Sequence, residues 1–267
     1  MPASVASEGN ADLLIEDAAH VRVLTINRPA RANALSSSLR RKLSDAFLDA
    51  SDDPAVRVIM LTATGDRVFC AGADLKEIAE ADGRGERFRP PTAQLERTLY
   101  EVVYGTYKPT IAALNGHAMG GGFELALACD IRLAVPAATL AFPEAKVGMG
   151  APFGSVALTR HLPLGVALAM LFTGDPMSAE DAQRWGLINR VVSAAELHSE
   201  AFALAHRIAA NAPLSVQRMK ETAVKTLDMP VAVGLRLDVG PNPYRSWDRA
   251  EGARAFAEKR PPRFEGR

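Results

Sequence analysis

The sequence predicts an α/β fold on a mostly parallel sheet, followed by a helical C-terminal region. Short apolar runs alternate with helix-periodic segments up to about residue 190, the order expected of βαβ units. The run Val56–Leu61 is almost continuously apolar, which suits a strand covered on both faces. From residue 153 onward the pattern turns helical. A chain of 267 residues accommodates one large domain or a core with an appendage. The division expected is a disordered lead over 1–12, an α/β core over 13–195 and a helical, oligomer-building region over 196–267.

Residues 1–12 are rich in Ala, Ser, Gly and Asn and lack the basic and apolar stretches of a targeting segment. A first strand reads at Val21–Ile26, ended by the turn formers Asn27-Arg28-Pro29. Leu39, Leu43 and Phe47 then recur every four residues, with serines at 36 to 38 to cap the helix and Asp52-Asp53-Pro54 to break it. After the strand Val56–Leu61, a short run Val68–Ala71 leads through Gly72-Ala73-Asp74 into a helix-like Leu75–Ile78. Residues 81–93 mix charge with Gly and Pro and read as a mobile loop. A helix around 94–104, a strand at Thr110–Leu114, a glycine-rich break over 116–122 and a helix at Phe123–Cys129 follow. Strands are expected near Ile131–Val135 and Thr139–Phe142. Ser178 opens a helix that Gly186 closes, and long helices fit 195–211 and 214–227.

Lys plus Arg and Asp plus Glu both total 31, so the formal charge is zero, and the basic excess that drives phosphate binding is missing. Two cysteines cannot build a disulfide framework, and the five histidines form no metal-spaced cluster. The longest apolar stretch, Leu162–Phe172, is shorter than the about 20 residues that span a bilayer. Neither a nucleic-acid nor a membrane partner is expected, and the cytoplasm is the expected compartment.

Two strand–glycine–helix junctions could carry chemistry: Ala71-Gly72-Ala73-Asp74 and Gly120-Gly121-Gly122. Each presents free backbone N–H groups at a helix N-terminus, and glycine lets a ligand oxygen approach the main chain. Facing each other, they would offer two donors to a developing oxyanion. No Gly-Lys-Ser/Thr ends either run, Gly116, Gly120 and Gly122 miss the dinucleotide spacing, and no Gly-x-Ser-x-Gly elbow occurs. Glu124 lies in the first turn of an otherwise apolar helix, where it serves either the helix dipole or catalysis. Glu144 follows Phe142-Pro143 and is either a surface turn residue or a second acid/base group. His117 reads as a loop or core histidine, Cys129 as packing and Asp130 as a helix end.

Taken in order, Asn27-Arg28-Pro29 with Asn33-Ala34-Leu35, Phe69–Leu75, Lys108-Pro109, Asn115–Ala126, Phe142-Pro143-Glu144, Asn211-Ala212-Pro213 and Glu251-Gly252 to Phe256–Arg260 resemble the crotonase (enoyl-CoA hydratase/isomerase) superfamily. The likeness covers roughly residues 12–260. It implies a crotonase-like spiral of ββα units, with C-terminal helices that build homotrimers, often paired into homohexamers. It also implies an acyl-CoA thioester substrate, coenzyme A arriving as part of the substrate and no separate cofactor or metal. By position, Ala73 and Gly121 match the two oxyanion-hole donors, and Glu124 and Glu144 the two hydratase glutamates. Ala71, Ala73, Asp74, Leu75, Lys76 and Gly121 fall on segments that border the bound thioester. The resemblance breaks after Glu144, where Gly148–Ser155 replaces the family's usual Gly-x-x-Pro-Gly-x-Gly-Gly. That stretch, with Met149 and Phe153, borders the acyl pocket in the family and bears on which acyl chain is taken.

The function expected is hydration of the 2,3-double bond of an enoyl-CoA, a lyase reaction. An isomerase or a specialised acyl-CoA dehydratase keeps the same fold, though two glutamates favour water chemistry over a double-bond shift. A non-catalytic binder of CoA esters or RNA is the rival of another class. The glutamate pair argues against the first, and neutral charge with 6% aromatics against the second.

Overall fold

The computed structural model describes residues 11–86 and 96–267. Elements in chain order are β1 (Leu13–Ala18), β2 (Val21–Ile26), α1 (Ser37–Asp52), β3 (Val58–Ala63), β4 (Val68–Cys70), α2 (Leu75–Gly83), α3 (Leu99–Tyr104), β5 (Thr110–Leu114), β6 (His117–Met119) and α4 (Gly121–Ala128). Next come β7 (Ile131–Ala134), β8 (Thr139–Ala141), α5 (Pro152–His161), α6 (Leu164–Thr173), β9 (Met177–Ser178), α7 (Ala179–Arg184), β10 (Arg190–Val191), α8 (Leu197–Ala209), α9 (Pro213–Thr226), α10 (Val231–Gly234) and α11 (Trp247–Ala257).

The strands divide between two sheets, one of six in the order β1-β2-β3-β5-β7-β10 and one of four in the order β4-β6-β8-β9. Consecutive pairs β3/β4, β5/β6 and β7/β8 each give one strand to each sheet, so the chain advances as a spiral of ββα turns. Pairing is parallel within the first sheet except for the β1–β2 hairpin, and within the second except for β8–β9. Because β4, β6 and β8 run parallel and adjacent, their C-terminal ends lie side by side. Those ends lead directly into Ala71–Asp74, Gly120–Gly122 and Phe142–Glu144, and ligands of α/β folds gather at such ends.

The expected α/β class holds, and most of the expected elements form. Ser36 caps α1 by accepting from the Leu39 amide at 3.2 Å, and Leu39, Leu43, Ala46, Phe47 and Ala50 make the buried face. Helix α4 is buried at every position from Gly121 to Ala128, so its one carboxylate is carried into the core. Helix α8 packs on β2, β3, β5 and β7, closing the core from beyond the boundary expected at 195.

Several local expectations give way. The first strand is β1, not β2; its turn uses Ala19 (φ 48°) and His20 (φ 66°), without the Asn-Gly signal that marks such hairpins. Ala11 and Asp12, at the end of the expected lead, are tied down by Asn27, whose Nδ2 and backbone N–H donate to their carbonyls. The rest of the lead lies outside the described residues. Helix α2 runs on to Gly83, into the loop expected at 81–93, because Asp74 caps its start and the alanines 79 and 81 favour its continuation. Positions 87–93 of that loop lie outside the described residues. Helix α3 begins at Leu99 rather than 94, since Thr98 and Glu101 form a reciprocal capping box. Within the glycine-rich 116–122, His117–Met119 is a strand: Gly116 lets it pass so close to Arg67 that a Cβ there would overlap the Arg67 backbone.

Candidate active site

The Asn27–Leu35 segment builds the first junction. Asn33, buried, accepts from the Arg28 amide at 2.9 Å and donates to the Thr64 and Val68 carbonyls at 3.0 and 2.8 Å. This pins the segment beside β4. Leu35 then brackets Ala73: its N–H donates to Gly72 O at 2.7 Å, and its C=O accepts from the Asp74 amide at 3.3 Å. In a parallel bridge, bonding residues 72 and 74 turns the amide of residue 73 to the opposite side. Asp74 is buried; it caps α2 and pairs with Arg28 at 3.2 Å, so its side chain is committed within the protein.

The second junction meets the first edge-on. Gly120 sits at φ 53°, ψ −126°, open to glycine alone, and Gly121 starts α4 with an amide that has no intrahelical acceptor. A Cβ on Gly72 would lie 2.9 Å from the Gly121 nitrogen, and one on Gly121 would lie 3.7 Å from the Ala73 nitrogen. A Cβ on Gly122 would overlap the Cys70 carbonyl. Glycine at 72, 121 and 122 therefore permits the close approach of the two segments. Among the described residues, neither the Ala73 nor the Gly121 amide donates a hydrogen bond within the protein.

One turn into α4, Glu124 is 4% exposed, and its Oε1 accepts from the Gly154 amide at 2.7 Å. Gly154 lies in the first turn of α5, whose N-cap Ala151 offers no side-chain acceptor; Glu124 supplies one from a different helix. Burial raises the carboxyl of Glu124 above its ordinary range, while the Gly154 amide, the Tyr100 hydroxyl and the Phe153 amide work against that rise.

Glu144 arrives differently, in a 3-10 turn over Pro143–Val147 that follows β8. The Phe142 ring stacks on Phe123 with centroids 4.6 Å apart, fixing the turn over the start of α4. A Cβ on Gly120 would come within 2.7 Å of Glu144 Oε1, so this carboxylate lies against the residue that precedes the free Gly121 amide. Among the described residues, its Oε2 is buried without a hydrogen-bond partner. Burial pushes the Glu144 carboxyl up to about 7; its own backbone amide opposes this, and the charge on Glu124 adds to it.

Around this pair, Phe153 stacks on Tyr100 at 5.8 Å and meets Tyr104 edge-on at 6.0 Å. Met149, half-buried, donates its N–H to Glu144 O at 2.9 Å. Ala71, Leu75 and Lys76 are exposed. Lys76 and Asp74 line a recess of about 300 Å³ with Ala30, Arg31 and Ala32, which brings two cationic side chains to its rim. The structure thus gathers Ala73, Gly121, Glu124, Glu144, Met149 and Phe153 in one neighbourhood, with Leu75 and Lys76 on its outer flank. His117 bonds Thr139 across β6 and β8 at 2.9 Å, Cys129 is buried, and Asp130 ties Thr110 to Lys220. Among the described residues, no group of three or more His, Cys, Asp or Glu is placed to hold a metal ion.

Two participants escaped the sequence. One is the Gly154 amide, which no side-chain pattern reveals. The other is Tyr100: a Cβ on Gly121 would overlap its hydroxyl. The spacing Thr98-x-x-Glu101 could have fixed the helix start, but nothing in the sequence aims Tyr100 at α4.

Comparisons with known proteins show the family to which the chain belongs. A family model described as enoyl-CoA hydratase/isomerase matches residues 16–267. A carnitinyl-CoA dehydratase from Salmonella typhi is 41% identical over 251 residues, covering 91% of this chain and 94% of the relative. The crystal structure of an enoyl-CoA hydratase from Bacillus anthracis superposes with a TM-score of 0.87 at 34% identity, covering 96% of this chain and 100% of that one. One from Mycobacterium tuberculosis H37Rv gives 0.85 at 34% identity, covering 96% and 99%. The chain belongs to the enoyl-CoA hydratase/isomerase family, the crotonase superfamily.

Proposed function

We propose that the protein is a hydro-lyase that adds water across the 2,3-double bond of an enoyl-CoA thioester. The observation that carries this is the meeting of two free amides, Ala73 and Gly121, with one carboxylate against Gly120 and a second one helical turn along. As water adds at the β-carbon, negative charge moves onto the thioester oxygen. Amides already aimed at that oxygen stabilise the enolate without reorganising, each donor contributing about 3–4 kcal/mol at the transition state. Glu124 orients the water and takes its proton. Glu144, close to half-protonated near neutral pH, gives a proton to the α-carbon. Arg31 and Lys76, at the rim of the outer recess, suit the phosphates of coenzyme A.

The 41% identity to a carnitinyl-CoA dehydratase favours the same machinery run in reverse on a β-hydroxyacyl thioester. Glu144 would then take the α-proton, and Glu124 would protonate the departing hydroxyl. Short, long, branched and aromatic enoyl-CoAs, and carnitinyl-CoA, separate the two: loss of the conjugated-thioester absorbance reports hydration and its growth reports dehydration. No change with any of them would refute both. Homotrimers or homohexamers are also part of this proposal. Met219, Val231, Leu235 and Phe256 expose 63%, 77%, 79% and 87% of their surface on and beside the C-terminal helices, apolar area that a further subunit would cover. Light scattering that returns the monomer mass would remove that part.

A further inference from the structure

We propose that Tyr100 is a positioning residue for Glu124, its hydroxyl holding that carboxylate in place for proton transfer. The inference rests on Glu124 acting as proposed above, and adds a residue that the two-glutamate scheme does not contain. Four features point to Tyr100. The capping box between Thr98 and Glu101, with the Thr98 amide donating at 2.7 Å, fixes the start of α3 and therefore where its second residue stands. Its neighbours Leu99, Val102 and Val103 are buried, anchoring the helix beside α4. The Tyr100 hydroxyl then lies over Gly121, in space that only glycine leaves open, on the flank of α4 that Glu124, three residues on, shares. Finally, the Tyr100 ring stacks on Phe153, the residue just before Gly154, whose amide holds Glu124 Oε1. The proposed donor and the Gly154 amide that holds Glu124 are thus braced against each other by one aromatic contact.

A phenol donating to a carboxylate favours its ionised form, offsetting part of what burial costs it. Among the described residues, the other titratable groups facing this pair are Glu144 from the 3-10 turn, Arg40 from α1 and Cys70 from β4. Tyr100→Phe keeps the ring, its stacking and these neighbours, and removes only the donor.

Two readouts on Tyr100→Phe test the proposal. Carbon-13 glutamate spectra follow the ionisation of Glu124 in the ligand-free protein, its signal assigned by its loss in Glu124→Gln. The midpoint is expected to move up by about 1 pH unit, because the carboxylate loses a stabilising donor. The acidic limb of kcat/KM for crotonyl-CoA should move up with it, and kcat should fall about 10- to 100-fold with KM little changed. An unmoved Glu124 midpoint overturns the proposal whatever the activity. A moved midpoint with an unmoved kinetic limb supports the Tyr100–Glu124 bond and instead refutes Glu124 as the group that handles the water proton.

Discussion

The first turn of α4 and the 3-10 turn after β8 each bring one carboxylate to the same pair of amides, by different means. Glu124 is sunk into a helix whose every residue is buried, and the Gly154 amide of α5 donates to it. Glu144 follows the end of a strand, half-buried, with one oxygen that has no donor among the described residues. The Gly154 amide offsets part of what burial costs Glu124; among the described residues no donor does so for Glu144 Oε2, and that carboxyl holds its proton up to about pH 7. In the proposed chemistry, two identical side chains thereby take opposite tasks, one to accept a proton and one to give it.

Replacing either glutamate by glutamine should have the largest effect, lowering kcat on crotonyl-CoA by about 10²–10⁴-fold. Retained affinity for a saturated acyl-CoA, measured by calorimetry, would show that the amides still bind the thioester. Comparable activity in both variants and the parent would erase the contrast between the two carboxylates.

Two adjacent glycines then separate the two sides. Gly121→Ala drives a methyl into the Tyr100 hydroxyl and disturbs the Glu124 side, so turnover should fall about 10²–10³-fold if the amide is displaced with it. Gly120→Ala strains a φ of 53° and brings a methyl against Glu144 Oε1, and should cost about 1–3 kcal/mol in chemical denaturation as well as activity.

Stability against pH distinguishes the carboxylates without any substrate. The Glu144 carboxyl is raised in the folded protein, so the folded state keeps a proton that the unfolded chain releases near its ordinary 4.5. Stability is therefore lost as pH rises from about 4.5 to about 7 and levels off beyond. Glu144→Gln removes that loss. It should match the parent near pH 4 and exceed it by about 1–2 kcal/mol at pH 8, a value reduced for the partial exposure of the group. The smallest effect is expected from Phe153→Leu: less than tenfold on crotonyl-CoA, with a shift toward longer acyl chains read from their relative kcat/KM.

Much of this arrangement is legible in the sequence, because its periodicities and glycines have local physical causes. Leu39, Leu43 and Phe47 announce α1, and Gly72 and Gly120–Gly122 announce the two close approaches. What the sequence hides is set by partners distant along the chain. His117–Met119 becomes a strand only because β4 and β8 flank it. The β1–β2 turn adopts left-handed angles at Ala19 and His20, residues that do not advertise them. The difference between Glu124 and Glu144 is likewise invisible in the sequence: each follows a strand and a glycine or proline, and it is the amide of Gly154, thirty residues on, that donates to one of them.

Everything in the proposed chemistry depends on the Ala73 and Gly121 amides acting on one thioester oxygen. The difference vibrational spectrum of a bound enoyl-CoA, carbon-13 labelled at the thioester carbonyl, reads that polarisation directly. The carbonyl stretch should fall to lower frequency on binding, with Gly121→Ala returning part of the shift. A ligand that binds with its carbonyl stretch unchanged from solution would contradict the account.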